Sequence, residues 1–367
     1  MRPSRREFLA TLAATPVAIA ATTSAAPLKT RNVVVVTLDG FRPEDMFEGA
    51  AESLLDTKAG VSDVAATRKA FWRDSLAERR AALMPFFWET IAKSGQLRGD
   101  FTHGDTALIT NGKKFSYPGY SEMFTGAPDD RIDSNNKVPN PNINVFEWLN
   151  TRPGFEGKVA AFGCWDVFPF ILNSERAKIP VHAGWEQIPG PETPAKRVLN
   201  GLFNELPREW PTSHFDALAF EAALDHLHTQ QPRVLYIGFG ETDEYAHEGK
   251  YDRYLDAAHR ADRMIARLWN TLQEMPAYKG VTSLVTTTDH GRGGLPDGWR
   301  NHGEKVDGAE KIWVGVLGPD TPAGIAPGAK PVTQSQVAAT IAALLGEDFV
   351  AAIPKAAPPI AGAVVAV

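Results

Sequence analysis

Short apolar runs that end in polar residues mark the strands of this chain. The three clearest are 33–38 (Val-Val-Val-Val-Thr-Leu), 234–239 (Val-Leu-Tyr-Ile-Gly-Phe) and 283–288 (Ser-Leu-Val-Thr-Thr-Thr). Runs of this length that are rich in β-branched and aromatic residues predict strands. The stretches 158–163 and 311–317 predict two more strands.

Apolar residues at helical spacing predict the helices between these strands. The clearest amphipathic helix runs from Tyr251 to Met275, and its predicted inner face consists of Tyr254, Leu255, Ala258, Met264, Ile265 and Leu268. Other predicted helices cover 144–150, 216–229 and 334–345. The stretch 64–94 predicts two helices, the second of which begins near Pro85.

Acidic residues and histidines follow the three clearest strands. They are Asp39, then Asp243 and His247, then Asp289 and His290, with His302 a short way beyond. In an open parallel sheet, ligands bind outside the carboxyl ends of the strands, where these residues would lie. Asp243 and His247 are four residues apart, so both can face one ion from one turn of a helix. Alone, this pair is more typical of an acidic helix start with a structural histidine.

The stretch 115–126 carries a candidate nucleophile, Ser116. Pro118 suits the first position of a helix and Gly126 suits its end, so Ser116 is expected at the mouth of a helix N-terminus. The positive end of the helix dipole favours an anion there, either a serine alkoxide or a phosphate oxygen. The alternative is that Ser116 only caps the helix.

These motifs, taken in order from about 31 to 345, resemble the alkaline phosphatase superfamily, and most closely its phosphodiesterase/nucleotide pyrophosphatase branch. The resemblance implies a three-layer α/β/α fold with a mostly parallel central sheet. We therefore expect one catalytic domain over 27–367, with a helical insertion at about 42–100. The Pro- and Gly-rich stretch 165–215 predicts a second, irregular insertion that covers the site and selects the substrate.

The resemblance also implies a hydrolase of phosphate monoesters or diesters that works with two divalent metal ions. Zinc suits such a mixture of imidazole and carboxylate ligands, and manganese is the alternative. One ion would be held by Asp243, His247 and His302, and the other by Asp39, Ser116, Asp289 and His290. Ser116 would attack phosphorus and form a phosphoseryl intermediate. Asn135 or Asn136 would donate a hydrogen bond to a phosphoryl oxygen.

Two departures from the superfamily patterns keep other activities open. Sulfatases have arginine where this chain has Tyr120, which argues against conversion of Ser116 to formylglycine. No clear counterpart exists for the phosphate-binding arginine of classical alkaline phosphatases, although Arg131, Arg176 or Lys178 would be candidates. The alternatives are a sulfatase or phosphonate hydrolase, an isomerase like cofactor-independent phosphoglycerate mutase, or a non-catalytic metal-binding protein.

The first 26 residues have the features of a twin-arginine signal peptide. Arg5 and Arg6 precede an alanine-rich apolar segment that is too short and too weakly apolar for a stable membrane span. We expect export by the twin-arginine machinery to the periplasm or beyond. The single cysteine, Cys164, excludes an intramolecular disulfide and is expected to be buried. A net charge of −6 and the lack of a basic run argue against a nucleic-acid surface.

Overall fold

The computed structural model describes residues 27–325 and 329–365, so the predicted signal peptide lies outside the described residues. A seven-stranded sheet in the order β2-β8-β7-β1-β6-β4-β5 forms its centre, and β3 pairs with β9 in a separate two-stranded sheet. The strands are β1 (Asn32–Leu38), β2 (Gln96–Arg98), β3 (Ala107–Leu108), β4 (Val159–Gly163), β5 (Val181–Ala183), β6 (Val234–Phe239), β7 (Thr282–Thr287), β8 (Val314–Leu317) and β9 (Val332–Thr333). Strands β7, β1, β6, β4 and β5 are parallel, whereas β8 runs antiparallel to β7 and β2 antiparallel to β8.

Helices cover both faces of the sheet. They are α1 (Pro43–Glu48), α2 (Val64–Phe71), α3 (Leu76–Leu83), α4 (Ala92–Ser94), α5 (Ser116–Thr125), α6 (Val145–Asn150), α7 (Phe168–Ile171), α8 (Ser174–Ala177), α9 (Pro194–Glu205), α10 (Asp216–Gln230), α11 (Glu241–His247), α12 (Tyr251–Glu274), α13 (Gln336–Leu344) and α14 (Phe349–Ala352). A π-helical turn, Phe87–Ile91, leads directly into α4.

The side chains of β1 show how the layers are built. Val34 and Val36 belong to a buried cluster that includes residues of α10 and α12 on one face of the sheet. Val33 and Val35 belong to a second cluster, which includes residues of α5, α6 and α13 on the other face. Because successive side chains of a strand point to opposite faces, a continuous apolar strand serves both cores. The predicted three-layer α/β/α architecture with a mostly parallel sheet is therefore confirmed.

The longest predicted elements agree with the structure to within about one residue. β6 has the predicted bounds, β1 and β7 begin one residue early, and α12 ends one residue early. On α12 every predicted inner-face residue is buried except Met264, which is half-buried against the same core. Cys164 is buried, as predicted.

The first insertion contains more helices than predicted. Instead of one helix from Val64 to the end of the charged stretch, α2 ends at Phe71 and α3 begins at Leu76. Ser75 starts α3, because its hydroxyl accepts from Glu78 N at 3.2 Å and also lies 2.7 Å from the Glu78 carboxylate. Ser75 and Glu78 have the Ser-x-x-Glu spacing that is the sequence signature of a capping box, and here the Glu78 carboxylate accepts from the Ser75 hydroxyl. The helix expected near Pro85 is present, since residues 85–94 are helical.

The second insertion is more regular than predicted. Residues 165–215 contain α7, α8, α9 and also β5, which pairs with β4 and extends the central sheet. A strand of three residues carries too little pattern to be recognised before its neighbour is known. Over residues 27–325 and 329–365, we find no helix with both the length and the apolarity that a membrane crossing requires.

Candidate active site

The ends of three neighbouring strands gather the candidate residues. In the sheet, β1 lies between β7 and β6, and Thr37 is level with both Thr287 and Gly238. Asp39 follows β1 directly, and Asp289 with His290 follows β7 one residue later. After β6 the chain enters α11, which carries Asp243 and His247. The sequence spreads these residues over more than 200 positions, and the parallel sheet brings them together.

Asp39, Asp289 and His290 form one buried group, as the resemblance implied. His290 Nε2 lies 3.4 Å from Asp39 Oδ1 and 3.4 Å from Asp289 Oδ2. Gly40 N donates to Asp289 Oδ1 at 3.0 Å, which leaves the other oxygen of Asp289 directed to His290. Gly291, which follows His290, is needed for space, since an added Cβ would lie 2.2 Å from Lys311 O.

Asp243, His247 and His302 form the second group, although here the ligand atoms that all lie within 4.8 Å of one another belong to Asp243, His290 and His302. His247 Nε2 lies 2.9 Å from His302 Nε2 and 3.3 Å from Asp243 Oδ2. His302 Nε2 is 3.6 Å from Asp243 Oδ1. His290 connects the two groups, because its Nε2 is 3.9 Å from Asp243 Oδ1 and its ring stacks on that of His302 with centroids 3.9 Å apart.

Ser116 is the first residue of α5, so the helix begins two residues before the predicted start at Pro118. The cap position belongs to Phe115, and the Ser116 hydroxyl instead lies 3.4 Å from His290 Nε2. The helix ends at Gly126, as predicted, in the left-handed conformation. Close packing holds the start of α5 against the segment that follows β7, because a Cβ added to Gly119 would lie only 2.4 Å from Asp289 O.

The donor atoms of this site fit divalent cations. Asp39 Oδ1 and Asp289 Oδ2 are buried without a hydrogen-bond partner among the described residues. A buried carboxylate oxygen without a hydrogen-bond partner costs free energy unless a cation binds it. His290 Nδ1 donates to Gly291 O at 3.0 Å and His302 Nδ1 to Lys114 O at 3.2 Å. Because a carbonyl only accepts, Nδ1 carries a proton in both rings and Nε2 is the atom left to bind a metal, as in many histidine metal sites.

The charges of the site point to the same conclusion. Burial lowers the pKa of His290, but the carboxylates of Asp289 and Asp39 outweigh this effect and raise the pKa to about 9. Burial raises the pKa of Asp289 well above its usual value, and the nearby charge of Asp39 raises it further. Carboxylates that repel each other in a buried site are stabilised by a divalent cation, which also releases the proton from the imidazole.

Several residues that the sequence motifs did not reveal hold these groups in place. The Tyr120 hydroxyl donates to Asp39 Oδ2 at 3.0 Å, so the residue at the sulfatase arginine position supports a candidate ligand. The Thr242 hydroxyl donates to Asp39 O at 2.6 Å. Arg292 is buried, contacts the Asp243 carboxylate and donates to Gly40 O at 3.0 Å. In the sequence, the only sign that Arg292 has this role is that it directly follows the Asp-His-Gly motif.

A small pocket of about 150 Å³ opens onto these groups. Its lining residues are Asp39, Ser116, Asn135, Cys164, Trp165, Ser213, Gly240, Asp243, Glu244, His247 and His302. The second insertion contributes Trp165 and Ser213, in agreement with the predicted cover over the site. Of the two asparagines, Asn135 lines the pocket and Asn136 does not.

The three candidate phosphate-binding cations lie elsewhere. Arg131 is exposed and paired with Asp129, and Arg176 is paired with Glu147. Lys178 caps the C-terminus of α8 in the left-handed conformation. In the described part of the chain, no Lys or Arg is among the residues that line the pocket. None of the three candidates is therefore placed at the pocket.

Comparison with protein-family models decides the assignment. Residues 51–312 match the model described as type I phosphodiesterase / nucleotide pyrophosphatase. The chain belongs to this family. The matched range contains every candidate site residue except Asp39, and the match confirms the family suggested by the motifs. Comparison with curated protein sequences gives no match.

Solved structures of the alkaline phosphatase superfamily share the fold of this family member. Wild-type alkaline phosphatase PafA is 11% identical over 93% of this chain and 100% of its own, with a TM-score of 0.60. The lipoteichoic acid synthase LtaP from Listeria monocytogenes is 11% identical over 87% of this chain and 72% of its own, with a TM-score of 0.54. Phosphonate monoester hydrolase SpPMH from Silicibacter pomeroyi is 13% identical over 87% of this chain and 74% of its own, with a TM-score of 0.52.

Proposed function

We propose that this protein hydrolyses phosphate esters by nucleophilic attack of Ser116 on phosphorus. The observation that carries the proposal is the position of the Ser116 hydroxyl, 3.4 Å from His290 Nε2 within the buried group of Asp39, Asp289 and His290. A serine that only capped its helix would bond to the helix backbone, whereas this hydroxyl faces candidate metal ligands. Membership of the phosphodiesterase family supports the same reaction class.

The reaction proceeds in two steps. Ser116 Oγ loses its proton and forms a bond to phosphorus, while the bond from phosphorus to the leaving oxygen breaks and an alcohol departs. Water then attacks the phosphoserine, which releases the phosphate product and restores the Ser116 hydroxyl. Covalent catalysis of this kind divides one difficult displacement into two easier ones.

Two divalent cations, zinc or manganese, complete the site in this proposal. Asp39, Ser116, Asp289 and His290 would hold one, and Asp243, His247 and His302 the other. When bound, the cations would lower the pKa of the Ser116 hydroxyl and stabilise the charge that develops on the phosphoryl and leaving oxygens. The unpaired oxygens of Asp39 and Asp289, and the Nδ1 hydrogen bonds that leave Nε2 of His290 and His302 as the atoms to bind a metal, support this assignment.

Asn135 orients the transferred group. Its Oδ1 accepts from Tyr117 N at 3.0 Å, which fixes the side-chain amide because a backbone N–H can only donate. The amide nitrogen of Asn135 is therefore the end that remains for a phosphoryl oxygen, at the positive end of the α5 dipole. Asn136 lacks this contact, so we assign the role to Asn135.

The pocket favours phosphodiesters over phosphomonoesters. Its described lining contains no cationic side chain, and Glu244 adds a carboxylate next to the candidate ligand Asp243. A monoester carries two negative charges at neutral pH and would meet this carboxylate without a compensating arginine, whereas a diester carries one. Trp165 gives the pocket an apolar wall for the second ester group.

A panel of nitrophenyl substrates tests this proposal. The expected order of kcat/KM is diester first, then phosphonate monoester and phosphomonoester, with the sulfate ester lowest. The Glu244→Gln variant keeps the side-chain shape and removes the charge, so it should raise monoester turnover relative to diester turnover. If the sulfate ester is the best substrate, or if no phosphate ester reacts in metal-loaded enzyme, the proposal is wrong.

Export to the periplasm or beyond is a second, independent proposal. It is supported by Arg5 and Arg6 ahead of the apolar segment in residues 1–26. In this proposal the enzyme meets its substrate outside the cytoplasm.

A further inference from the structure

A buried carboxylate on the helix of Ser116 bonds to the segment that leads into that helix. Glu122 lies on α5 and is fully buried. A carboxylate at this depth is costly unless hydrogen bonds satisfy both of its oxygens. The partners of Glu122 therefore show which part of the chain it holds.

Five donor groups surround the two oxygens of Glu122. Oε2 accepts from Thr110 N, Asn111 N and Asn111 Nδ2, each at 2.9 Å. Oε1 accepts from the hydroxyls of Thr110 and Ser335, both at 2.6 Å. Four of the five donors belong to Thr110 and Asn111, between β3 and α5. Glu122 thus ties this connecting segment to the helix that carries the nucleophile.

The side chain of Asn111 passes the constraint on to Lys114. Its Oδ1 accepts from Lys113 N at 2.9 Å and from Lys114 N at 3.1 Å. Because Nδ2 donates to Glu122 while Oδ1 accepts from these backbone groups, the amide has a single orientation. These bonds hold Lys114 at a φ of 57°, which its own preference disfavours. The Lys114 ammonium donates to Val306 O at 3.2 Å, a contact that fixes the far end of the side chain and not the backbone.

The position of the Lys114 carbonyl decides which nitrogen of His302 carries the proton. Lys114 O accepts from His302 Nδ1 at 3.2 Å, which leaves Nε2 unprotonated. His302 Nε2 also lies 2.9 Å from His247 Nε2. If the carbonyl moved away, the proton would be better placed on Nε2, where it can be donated to His247. The nitrogen that faces the candidate metal ligands would then no longer be free.

From these contacts we propose that Glu122 is a positioning residue, which acts through Asn111 and Lys114 to keep His302 in the Nδ1–H form and at a fixed place relative to Ser116. The inference rests on the proposed function, since it takes His302 as a metal ligand and Ser116 as the nucleophile. Its first test nevertheless needs neither metal nor turnover.

The tautomer of His302 in the metal-free, full-length protein at pH 8 is that test. ¹⁵N spectra of histidine-labelled protein distinguish Nδ1–H rings from Nε2–H rings, and the unmodified protein should show His302 as Nδ1–H. Asn111→Ala removes the link to Lys114 and should populate the Nε2–H form. Ser335→Ala is the matched control, because it also removes one donor to Glu122 but leaves the bonds of Asn111 intact. It should keep the tautomer of the unmodified protein.

Zinc titration against a competing chelator provides a second readout. In Asn111→Ala, one of the two zinc affinities should fall by roughly tenfold, the lower end of the loss expected when a hydrogen bond behind a metal ligand is disturbed. The other affinity should stay unchanged, and Ser335→Ala should keep both. A general loss of stability would not select one ion or distinguish the two variants.

Two substitutions test Glu122 itself. Glu122→Gln keeps an oxygen for the three N–H groups and gains an NH₂ group that can donate to both hydroxyls, so it should match the unmodified protein. Glu122→Met keeps the length of the side chain without an acceptor for these groups and should behave like Asn111→Ala. If Glu122→Met does not fold, Asn111→Ala decides.

Three results would overturn the proposal: an Nε2–H ring of His302 in the unmodified protein, an unchanged tautomer and zinc affinity in Asn111→Ala, or equal changes in Ser335→Ala. Any of them in a protein that hydrolyses phosphate esters would leave the proposed function intact. Conversely, a protein that neither binds zinc nor hydrolyses phosphate esters, but whose His302 tautomer depends on Asn111, would refute the proposed function and support the role of Glu122 in positioning His302.

Discussion

The backbone carbonyl of Lys114 accepts a hydrogen bond from His302 Nδ1 at 3.2 Å, which fixes the ring of a candidate metal ligand from a residue 188 positions away. Lys114 has a φ of 57°, the left-handed conformation that non-glycine residues rarely adopt. The strained backbone two residues before Ser116 thus presents the carbonyl to His302. Strain of this kind is often located at functional sites.

Two substitutions of Lys114 separate its backbone role from its charge. Asn tolerates the left-handed conformation and Val does not, while both remove the ammonium that pairs with Glu310. Relative to Lys114→Asn, Lys114→Val should lose about 1–2 kcal/mol of unfolding free energy. It should also lose metal affinity. Denaturant unfolding and metal titration measure these losses, and equal values for the two variants would contradict the positional role.

Asp216 should position the helix that carries Asp243 and His247. Its Oδ1 accepts from Gly240 N at 2.7 Å and from Glu241 N at 3.3 Å, at the start of α11. Asp216→Ala would leave buried N–H groups unpaired, which costs about 1–3 kcal/mol for each. Asp216→Asn keeps an acceptor oxygen and should be much closer to wild type in denaturant unfolding and in turnover. If the alanine variant is as stable and as active as the asparagine variant, Asp216 does not hold α11.

His214 should make the protein less stable in acid. Burial lowers the pKa of His214 from 6.5 to about 3, so the folded state binds its proton less tightly than the unfolded state. The stability that this pKa difference gives the folded state is fully present above pH 6.5 and is lost as the pH falls from 6.5 toward 3. Between pH 8 and pH 5 this amounts to about 2 kcal/mol.

Urea unfolding of wild type and His214→Phe at these two pH values measures the effect. The variant should lose about 2 kcal/mol less than wild type on acidification, because phenylalanine does not titrate. Equal losses would show that His214 does not carry this pH dependence.

Replacement of both Arg5 and Arg6 by Lys should leave unprocessed precursor in the cytoplasm, since the arginine pair distinguishes this leader from a general secretory signal. Cell fractionation with immunoblotting measures the distribution. Unchanged export of the Lys-Lys variant would mean that the pair is incidental.

The sequence predicts those parts of the fold whose signal is long or local. β1 and β6 are continuous apolar runs, and α12 repeats its apolar face over 24 residues, so each was found almost to its ends. β2 and β5 have three residues each and exist because a neighbouring strand pairs with them, which no local pattern shows. The break before α3 was missed although the Ser-x-x-Glu signature of a capping box was readable.

For the candidate site, the motif residues were predictable and their supports were not. The expected donors do converge, because order along the chain places them at the ends of adjacent parallel strands. The contacts Tyr120 to Asp39 and His302 to Lys114 join residues 81 and 188 positions apart, and only the folded chain brings them together. Asn135 is distinguished from Asn136 by its hydrogen bond to Tyr117 and by its place in the wall of the pocket, and both follow only from the folded chain.

The turnover of Ser116→Ala, measured together with its metal content, shows whether Ser116 is the nucleophile. The hydroxyl makes no capping bond, so its loss should change the unfolding free energy by no more than about 1 kcal/mol. Six of the seven proposed donors remain, so both ions should largely stay bound. We expect a folded, metal-loaded variant whose phosphodiester turnover falls by roughly 10³-fold or more. A variant that keeps its metal and also keeps near-normal turnover would contradict it, because water would then attack phosphorus without Ser116.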